Sequence, residues 1–575
     1  MKFTENPLLE LRLPVWRARF LLFLLCAAFV GLMGRAVYLQ GLQDEFLQAK
    51  GEARYARAYP VKGTRGRILD RNGSVLAVST PVKSISAVPK AVEIDSRHLQ
   101  SLAQLLNVSR EELRKKLGDE SRNFVYLKRQ VSPELAAQVE ALDIPGIYQR
   151  PESRRYYPGG EVMAHVLGFT NTDDMGQEGI ELAFEEELSG RPGSRRIIQD
   201  RRGRIVEDVE SIHATNGADL TLALDARLQS LAFSQLKSAI DRHHAKGGAI
   251  VVLDAKSGEV LALANLPTFN PNNRSRLSGA QLRNRAVTDM FEPGSTLKPV
   301  TIALALEQGK VKPSTLIHTA PGSLTIGPAT IRDAHPEGTL TVEQVIQRSS
   351  NVGSAKIALS LPAMQMWEMF EDVGFGHVPN LGFPGEVAGK VRPYKTWKPI
   401  EQATMSYGHG ITVSLIQLAR AYTVFANDGE LVPLSLSKLD DKPEGERVLS
   451  KTTAQSVRSM LEMAVRPGGT APRAQIMGYR VAGKTGTAHK LVNGSYAPDK
   501  YVSSFVGFAP ASDPRLIIAV MLDEPSDGQY YGGQVAAPVF AQVMSGSLRM
   551  LDVPFDAPLK PIELPPPSAE IQESI

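Results

Sequence analysis

Glu292-Pro-Gly-Ser-Thr-Leu-Lys298 is the stretch that decides the fold: a Pro-Gly breaker, then a serine with a lysine three residues on. Pro and Gly end the preceding extended chain and let a helix begin nearby. Residues 296–309 are apolar and helix-compatible (Leu297, Val300, Ile302, Leu304, Leu306), and Gly309 is placed to end the run. Lys298 then lies one turn along the same face as Ser295. The serine hydroxyl sits at a helix N-terminus, where backbone N–H groups and the dipole favour negative charge. Serine is a poor nucleophile until a base removes its proton. A lysine buried among apolar neighbours can have its pKa lowered enough to do so. The competing reading is a surface helix with an ordinary Ser and Lys.

Ser-x-x-Lys occurs three times in the chain, at Ser234/Lys237, Ser295/Lys298 and Ser435/Lys438, so spacing alone decides little. Ser234/Lys237 lies within an amphipathic run with no breaker before the serine. Ser435/Lys438 falls in Val432-Pro-Leu-Ser-Leu-Ser-Lys438, which reads as strand or loop. Only the set at Ser295 is followed by two further motifs in order. Ser349-Ser-Asn351 comes 54 residues later (349 − 295), and Lys484-Thr-Gly-Thr487 another 135 (484 − 349). Ser349-Ser-Asn351 follows a helical run over residues 341–348, and its side chains suit proton relay and amide binding as well as a helix cap or turn. Lys484-Thr-Gly-Thr487 is read on a strand, since Val502 to Ala509 and Leu516 to Leu522 read as strands around a Pro510-to-Pro514 turn. There Lys484, Thr485 and Thr487 could hold a substrate carboxylate, and Gly486 lets a ligand backbone approach closely. The N–H groups of Ser295 and Thr487 could form an oxyanion hole; the competing reading is a strand end with a solvated lysine. A decoy Lys256-Ser-Gly258 is explained by turn chemistry between two short apolar strands.

The ordered triplet is shared by class A β-lactamases and penicillin-binding proteins. The chain as a whole resembles the septal class B penicillin-binding proteins, peptidoglycan D,D-transpeptidases of cell division, from about residue 15 to 552. The resemblance rests on the triplet and on Thr64-Arg-Gly-Arg-Ile-Leu-Asp-Arg-Asn-Gly73, Arg154-Arg-Tyr-Tyr-Pro158, His165-Val-Leu-Gly-Phe-Thr170 and Gln177-Glu-Gly-Ile-Glu181. It continues through Asp200-Arg-Arg-Gly-Arg204, Asn270-Pro-Asn-Asn273, Phe383-Pro-Gly-Glu386 and Tyr530-Tyr-Gly-Gly533. It implies Ser295 as acylated nucleophile, Lys298 as general base, Ser349 as proton shuttle and Asn351 as a contact to the peptide stem. Lys484, Thr485 and Thr487 would bind the terminal carboxylate, and Gly486 would give backbone access. The implied substrates are D-Ala-D-Ala peptidoglycan stems, with β-lactams as donor mimics. The implied fold is α+β: a transmembrane helix, an extended mixed α/β pedestal, and a transpeptidase domain with an antiparallel sheet flanked by helices.

Two positions depart from the family pattern. His489 stands where Arg or Lys is frequent, and His409 where an aromatic is common. Histidines near the site would make carboxylate binding pH-dependent; the alternative is plain substitution with a satisfied ring. With Tyr531 they form a candidate outer layer of the site.

Phe20 to Gly34 carries no charge, and Ala36 to Leu39 extends the run past Arg35. About twenty residues span a bilayer as helix, so residues 20–40 suffice if Arg35 snorkels toward an interface. Lys2, Arg12, Arg17 and Arg19 before the run place the N-terminus in the cytoplasm. A cleaved signal peptide fits less well, because Ala27-Ala28 lies early in the apolar run. Cys26, the single cysteine, is expected in a core; Leu25 before it fits a lipidation site poorly. The organisation expected is a tail (1–19), an anchor (20–40), a pedestal (41–220), a transpeptidase module (221–552) and a disordered Pro-rich tail (553–575).

Net charge is +4, from 65 basic and 61 acidic residues, too balanced to argue for nucleic acid. The pairs Arg154-Arg155, Arg195-Arg196 and Arg201-Arg202 read as solvated faces or structural ion pairs before they read as phosphate sites. No His-Glu-x-x-His, paired-cysteine or calcium-loop pattern occurs, so neither metal nor cofactor is expected. No Gly-x-Ser-x-Gly elbow surrounds Ser295, which argues against an α/β-hydrolase. The resemblance implies location in the bacterial inner membrane with a periplasmic catalytic domain at the septum. It also implies work beside an FtsW-type glycosyltransferase and FtsQ-, FtsL-, FtsB- and FtsN-like proteins. The alternatives are a D,D-carboxypeptidase or β-lactam-sensing relative, and a divisome scaffold whose catalysis is dispensable.

Overall fold

A sheet covered on both faces has no need of polar residues on either, and its strands read as unbroken apolar runs. The catalytic sheet follows that rule. Its strands are β1 (Gly247–Asp254), β2 (Val260–Leu266), β3 (Ala482–Val492), β4 (Ser495–Ala509) and β5 (Leu516–Asp523), and every residue of β1, β2 and β5 is buried. The strands are antiparallel in the order β2-β1-β5-β4-β3, which leaves β3 at an edge. This computed structural model describes residues 14–42, 56–61, 63–199, 205–275, 277–492, 494–562, 564, 566 and 573.

The helices that matter for the site are α1 (Ala226–His243), α2 (Lys298–Glu307), α3 (Val342–Arg348), α4 (Asn351–Leu359), α5 (Lys451–Val465) and α6 (Ala537–Met550). One sheet face packs Ile250, Val252, Ile518 and Val520 against Leu228, Phe233 and Leu236 of α1 and Phe540 and Val543 of α6. The other packs Val251, Leu253, Ala519 and Met521 into a core that includes Leu297 and Val300 of the nucleophile region. The expected antiparallel sheet flanked by helices is what the chain forms.

The decoy motifs lie elsewhere. Ser234 and Lys237 are exposed on α1, where Ser234 Oγ donates back to the Leu231 carbonyl at 2.9 Å. Ser435 Oγ donates to the Ser437 carbonyl at 2.7 Å, and Lys438 is exposed. Lys256 to Gly258 form the β1–β2 turn, with Asp254 Oδ1 accepting from the N–H groups of Lys256 and Ser257.

The pedestal segment builds a second sheet, in which the long strand Val75–Ala87 pairs with Val125–Val131 and Ile147–Tyr156. Three helices cover it: Ser96–Leu106, Arg110–Leu117 and Pro133–Glu140, N-capped by Asp95, Ser109 and Ser132. Leu102, Leu106, Leu113 and Val139 meet Ile85, Ala87 and Leu127 in its core. The pedestal is tied to the catalytic module by polar pairs. Tyr157 N–H donates to Asn272 Oδ1 at 3.0 Å, and Asn272 Nδ2 returns a bond to the Tyr157 carbonyl at 2.9 Å. Asn72 Nδ2 donates to Asp225 Oδ2 at 3.0 Å, beside the start of α1.

Residues Met1–Gly63 with Gly190–Asn216 form a separate unit. It holds the apolar helix Val15–Val37 and a three-stranded antiparallel sheet of Ala56–Val61, Gly193–Gln199 and Ile205–Ile212. The helix begins at Val15, directly after Pro14, five residues earlier than expected, so Arg17 and Arg19 lie on its first turns. At 23 residues it is about 35 Å long, enough to cross a hydrocarbon core of about 30 Å. Arg35 stacks its guanidinium 5.5 Å from the Tyr38 ring, at the end where it must leave the apolar zone. Cys26 is exposed on this helix, not in a core: no residue of the helix is buried by protein.

One further expectation changes. The stretch Val553 to Ile562 was expected to be disordered on its proline content, yet it is docked. Tyr479 OH donates to the Val553 carbonyl at 2.6 Å, and Asp556 accepts from Arg480 N–H and Ser512 Oγ, both at 2.7 Å. Phe555 packs its ring 4.9 Å from that of Tyr479. One aromatic and one acid among the prolines suffice to anchor it. The arginine pairs divide: Arg155 is buried in an ion pair with Glu181, Arg154 donates to the Asn272 carbonyl, and Arg201-Arg202 lie outside the described residues.

Glu181 is fully buried between Arg65 (2.7 Å) and Arg155 (2.6 Å), and Arg65 also reaches the half-buried Glu185. Removing one partner of a buried ion pair leaves an uncompensated charge, at a cost of about 3–5 kcal/mol. Glu181→Ala is therefore expected to lower the thermal midpoint severely, while Glu185→Ala, which leaves Arg65 its buried partner, lowers it little. Differential scanning calorimetry of the two variants checks the ranking.

Candidate active site

Gly294 has φ +59, a backbone state that favours glycine. It turns the chain into a 3-10 segment, Gly294–Leu297, which runs directly into α2. Ser295 thus stands at the start of the helical run and Lys298 one turn on, as the breaker before Ser295 suggested. Lys298 is wholly buried, as are its neighbours Val300 and Ile302. Its Nζ lies 2.8 Å from Ser295 Oγ, 2.6 Å from the Ser349 carbonyl, 3.0 Å from Ser349 Oγ and 2.8 Å from Asn351 Oδ1. Burial, and then the neighbouring charge of Lys484, hold its pKa well below the ordinary lysine value. A neutral amine has two N–H donors and one lone pair. The Ser349 carbonyl and Asn351 Oδ1 only accept, so they take the two donors. The lone pair is left for a hydroxyl, and Ser295 is in reach.

The Ser-Ser-Asn motif supplies three of those oxygens because it is also a helix junction. Ser349 ends α3 in the left-handed region, φ 60 and ψ 39. Ser350 caps α4, accepting from Gly353 N–H and donating to Asp333 Oδ2 at 2.7 Å. The turn reverses the chain so that the side chains on either side of Ser350, Ser349 and Asn351, both face Lys298. Ser350 takes the cap, while Ser349 and Asn351 stand against Lys298.

Lys484 comes to the same place from β3. Its Nζ, also fully buried, donates to Ser349 Oγ at 3.0 Å and to Thr485 Oγ1 at 3.2 Å. Burial pushes its pKa down to about 8. Ser349 Oγ therefore bridges the two lysines. Thr485 Oγ1 is 3.1 Å from Thr470 Oγ1, and Thr487 Oγ1 accepts from Gly532 N–H at 2.9 Å. Gly486 is required for a reason other than the expected one. A Cβ there would stand 2.6 Å from the Pro293 carbonyl and Ser504 Oγ and 2.9 Å from the Thr296 methyl. The space that glycine leaves is filled by the loop that carries Ser295, not by a ligand.

Comparison with known proteins agrees with this arrangement. The penicillin binding protein transpeptidase domain matches residues 248–545, and the penicillin-binding protein dimerisation domain matches residues 60–222. The chain belongs to the penicillin-binding transpeptidases. It is 44% identical to the probable peptidoglycan D,D-transpeptidase PenA of Neisseria meningitidis, over 95% of this chain and 94% of that one. It is 41% identical to the peptidoglycan D,D-transpeptidase FtsI of Escherichia coli, over 94% and 93%. Among solved structures it is similar to the apo transpeptidase domain of penicillin-binding protein 3 from Burkholderia pseudomallei (48% identity, TM-score 0.55, 59% of this chain and 98% of that one). A peptidoglycan synthetase from Bifidobacterium adolescentis aligns over 88% of this chain and 99% of its own, at 27% identity and TM-score 0.71.

In this penicillin-binding protein His409 is not a pH switch. It is half-buried between Tyr407, at 5.2 Å, and Tyr496, at 6.0 Å. Burial, then the charge of Lys298, push its pKa down to about 4, so it stays neutral at physiological pH. His489 Nδ1 lies 3.0 Å from the Ala497 carbonyl and so carries the proton. Its ring begins a series that runs to Tyr501 (4.7 Å), Tyr530 and Tyr531. Several residues near the site were not singled out from sequence. Glu292 accepts from Gly410 N–H and Tyr496 OH, both at 2.9 Å, and so ties the nucleophile loop to two neighbours. The Tyr407 ring lies 5.8 Å from Lys298 Nζ. Asp333 and Thr470 act through Ser350 and Thr485. None stands near the triplet in sequence except Glu292, whose place just before Pro293 was the one available signal.

Two outcomes are expected. Acylation by a β-lactam should rise with pH as Lys298 loses its proton, then fall around pH 8 as Lys484 loses the charge that attracts a carboxylate. The two limbs belong to a coupled pair. Stopped-flow acylation rates from pH 5 to 10 check this, and a rate still climbing above pH 9 contradicts it. Gly486→Ala should slow acylation at least tenfold by displacing the Pro293 carbonyl, and cost about 1–3 kcal/mol of stability from overpacking.

Proposed function

We propose that this protein cross-links peptidoglycan at the division septum as a D,D-transpeptidase working through an acyl-enzyme on Ser295. The observation that carries the reading is the buried, depressed Lys298 in hydrogen-bond contact with Ser295 Oγ, Ser349 and Asn351. Lys298 takes the Ser295 proton as Oγ attacks the penultimate D-Ala carbonyl of a donor stem. The oxyanion is met by the N–H groups of Ser295 and Thr487. As the C–N bond breaks, Ser349, held between two lysines, passes a proton to the departing D-Ala amine. Lys484, Thr485 and Thr487 hold the donor's terminal carboxylate, and Asn351 the stem. An acceptor amine then attacks the ester, gives up a proton to the same relay, and Ser295 leaves with its proton restored. A β-lactam enters as the donor, but its leaving amine stays tethered, so deacylation is slow.

The apolar helix anchors the chain by a single pass. The basic residues before it support a cytoplasmic N-terminus and a periplasmic catalytic module in the inner membrane. The relatives named FtsI support septal work beside an FtsW-type glycosyltransferase and FtsQ-, FtsL-, FtsB- and FtsN-like proteins, which would meet the anchor and pedestal.

The test is to mix the full chain in detergent with a fluorescent penicillin and follow intact mass, with Ser295→Ala as control. A one-to-one adduct lasting many minutes, absent in the variant, is the expected result. Rapid turnover would make the protein a hydrolytic carboxypeptidase or sensor, and no adduct would leave a scaffold.

A further inference from the structure

Deep in the site stands a side chain from the far end of the chain. Glu573 is buried, although it lies two residues from the C-terminus. Its Oε2 accepts from Thr487 Oγ1 at 2.7 Å, and its Oε1 accepts from Gly533 N–H at 2.7 Å. Thr485 also hydrogen-bonds to it, and the charge of Lys484 acts on it directly. These are the groups assigned above to a donor's terminal carboxylate. The γ-carboxylate of Glu573 therefore stands in for that group, with the same charge and the same two-oxygen geometry.

The docking is not left to this one contact. Seventeen to twenty residues upstream, Val553, Phe555 and Asp556 are fixed on Tyr479, Arg480 and Ser512, next to the start of β3. A tethered ligand acts at an effective concentration in the millimolar range, so even a weakly held carboxylate competes with a free one.

We propose that the carboxylate subsite has a second, intramolecular ligand: the C-terminal segment, whose Glu573 occupies Lys484, Thr485 and Thr487 and must leave before a donor stem or β-lactam can bind. The inference rests on the assignment of those three residues as the carboxylate subsite. Glu573 makes no bond to Ser295 and is not a substrate; it holds the place of one. Its burial works against its charge, and burial accordingly raises its pKa above the ordinary glutamate value. The contact is thus weaker than the Lys484 charge alone would make it, as a displaceable plug requires.

Second-order acylation rates with fluorescent penicillin, together with melting temperatures, test this on three forms in detergent: full-length wild type, full-length Glu573→Gln, and a chain ending at Ile562, which keeps Phe555 and Asp556. Both altered forms should acylate faster, by up to about tenfold for the shortened chain, with little change in melting temperature. A synthetic peptide of residues 566–575 should slow the shortened form competitively with penicillin, and the same peptide with Gln in place of Glu573 should not. Normal adducts at equal rates in all three forms would overturn the proposal while leaving the transpeptidase reading intact. Slower acylation with a lower melting temperature would make the tail a structural strap and overturn it as well. No adduct from any form would bring down both readings.

Discussion

A primary amine excluded from water, with four oxygens within hydrogen-bond range, is the constraint on which the catalytic module is built. Charged, Lys298 is costly where it lies; neutral, it is useful there. Each element around it serves to keep it dry and satisfied. α2 presents it, the left-handed turn at Ser349 brings a carbonyl and two side chains to it, and Asp333 fixes that turn through Ser350. Tyr422 OH donates to the Thr296 carbonyl at 2.8 Å from below, and Ser406 accepts from Thr301 of α2 and Ser354 of α4. The second lysine completes the enclosure and adds a charge that, after burial, lowers the pKa of the first one.

The pedestal meets the module through a shared apolar core, in which Ile68, Leu76, Met163 and Leu167 join the residues of the module, and through paired amides and carboxylates. The Asn272–Tyr157 exchange and the Asn72–Asp225 bond need fixed geometry on both sides. Asp225 shows how strongly it is held. Burial opposes its charge, but bonds from Arg227 and Asn72 win, and its pKa falls to about 2. The same carboxylate caps α1, so the seam and the helix start share one group.

What the sequence disclosed and what it hid divide by distance along the chain. The helix start at the nucleophile was legible because its cause is local: Pro293-Gly294 stands directly before Ser295. The inner strands were legible because an unbroken apolar run of seven or eight residues has few other uses. The triplet was legible through its order. The misreadings at Gly486 and in the tail are contacts between distant segments. Gly486 was read as room for a ligand, but the occupant is Pro293, nearly two hundred residues earlier. His409 was weighed as a titrating group because its packing between Tyr407 and Tyr496 has no sequence signature. Proline content in the tail concealed Phe555 and Asp556, whose partners lie in residues 478–512. Local chemistry writes itself into neighbouring letters; tertiary burial does not.

The strand order β2-β1-β5-β4-β3 carries a cost in time. Gly247 of β1 pairs with Asp523 of β5, 276 residues later (523 − 247). At a synthesis rate of about 5–20 residues per second, the β1–β2 hairpin emerges about 14–55 seconds before the strand that covers its open edge. Throughout that interval two largely apolar strands present an unpaired edge, a template for pairing with other chains. A chain made in this order must keep that hairpin apart from its copies until β5 arrives. Assembly of this site is therefore a problem of chaperoning as much as of chemistry.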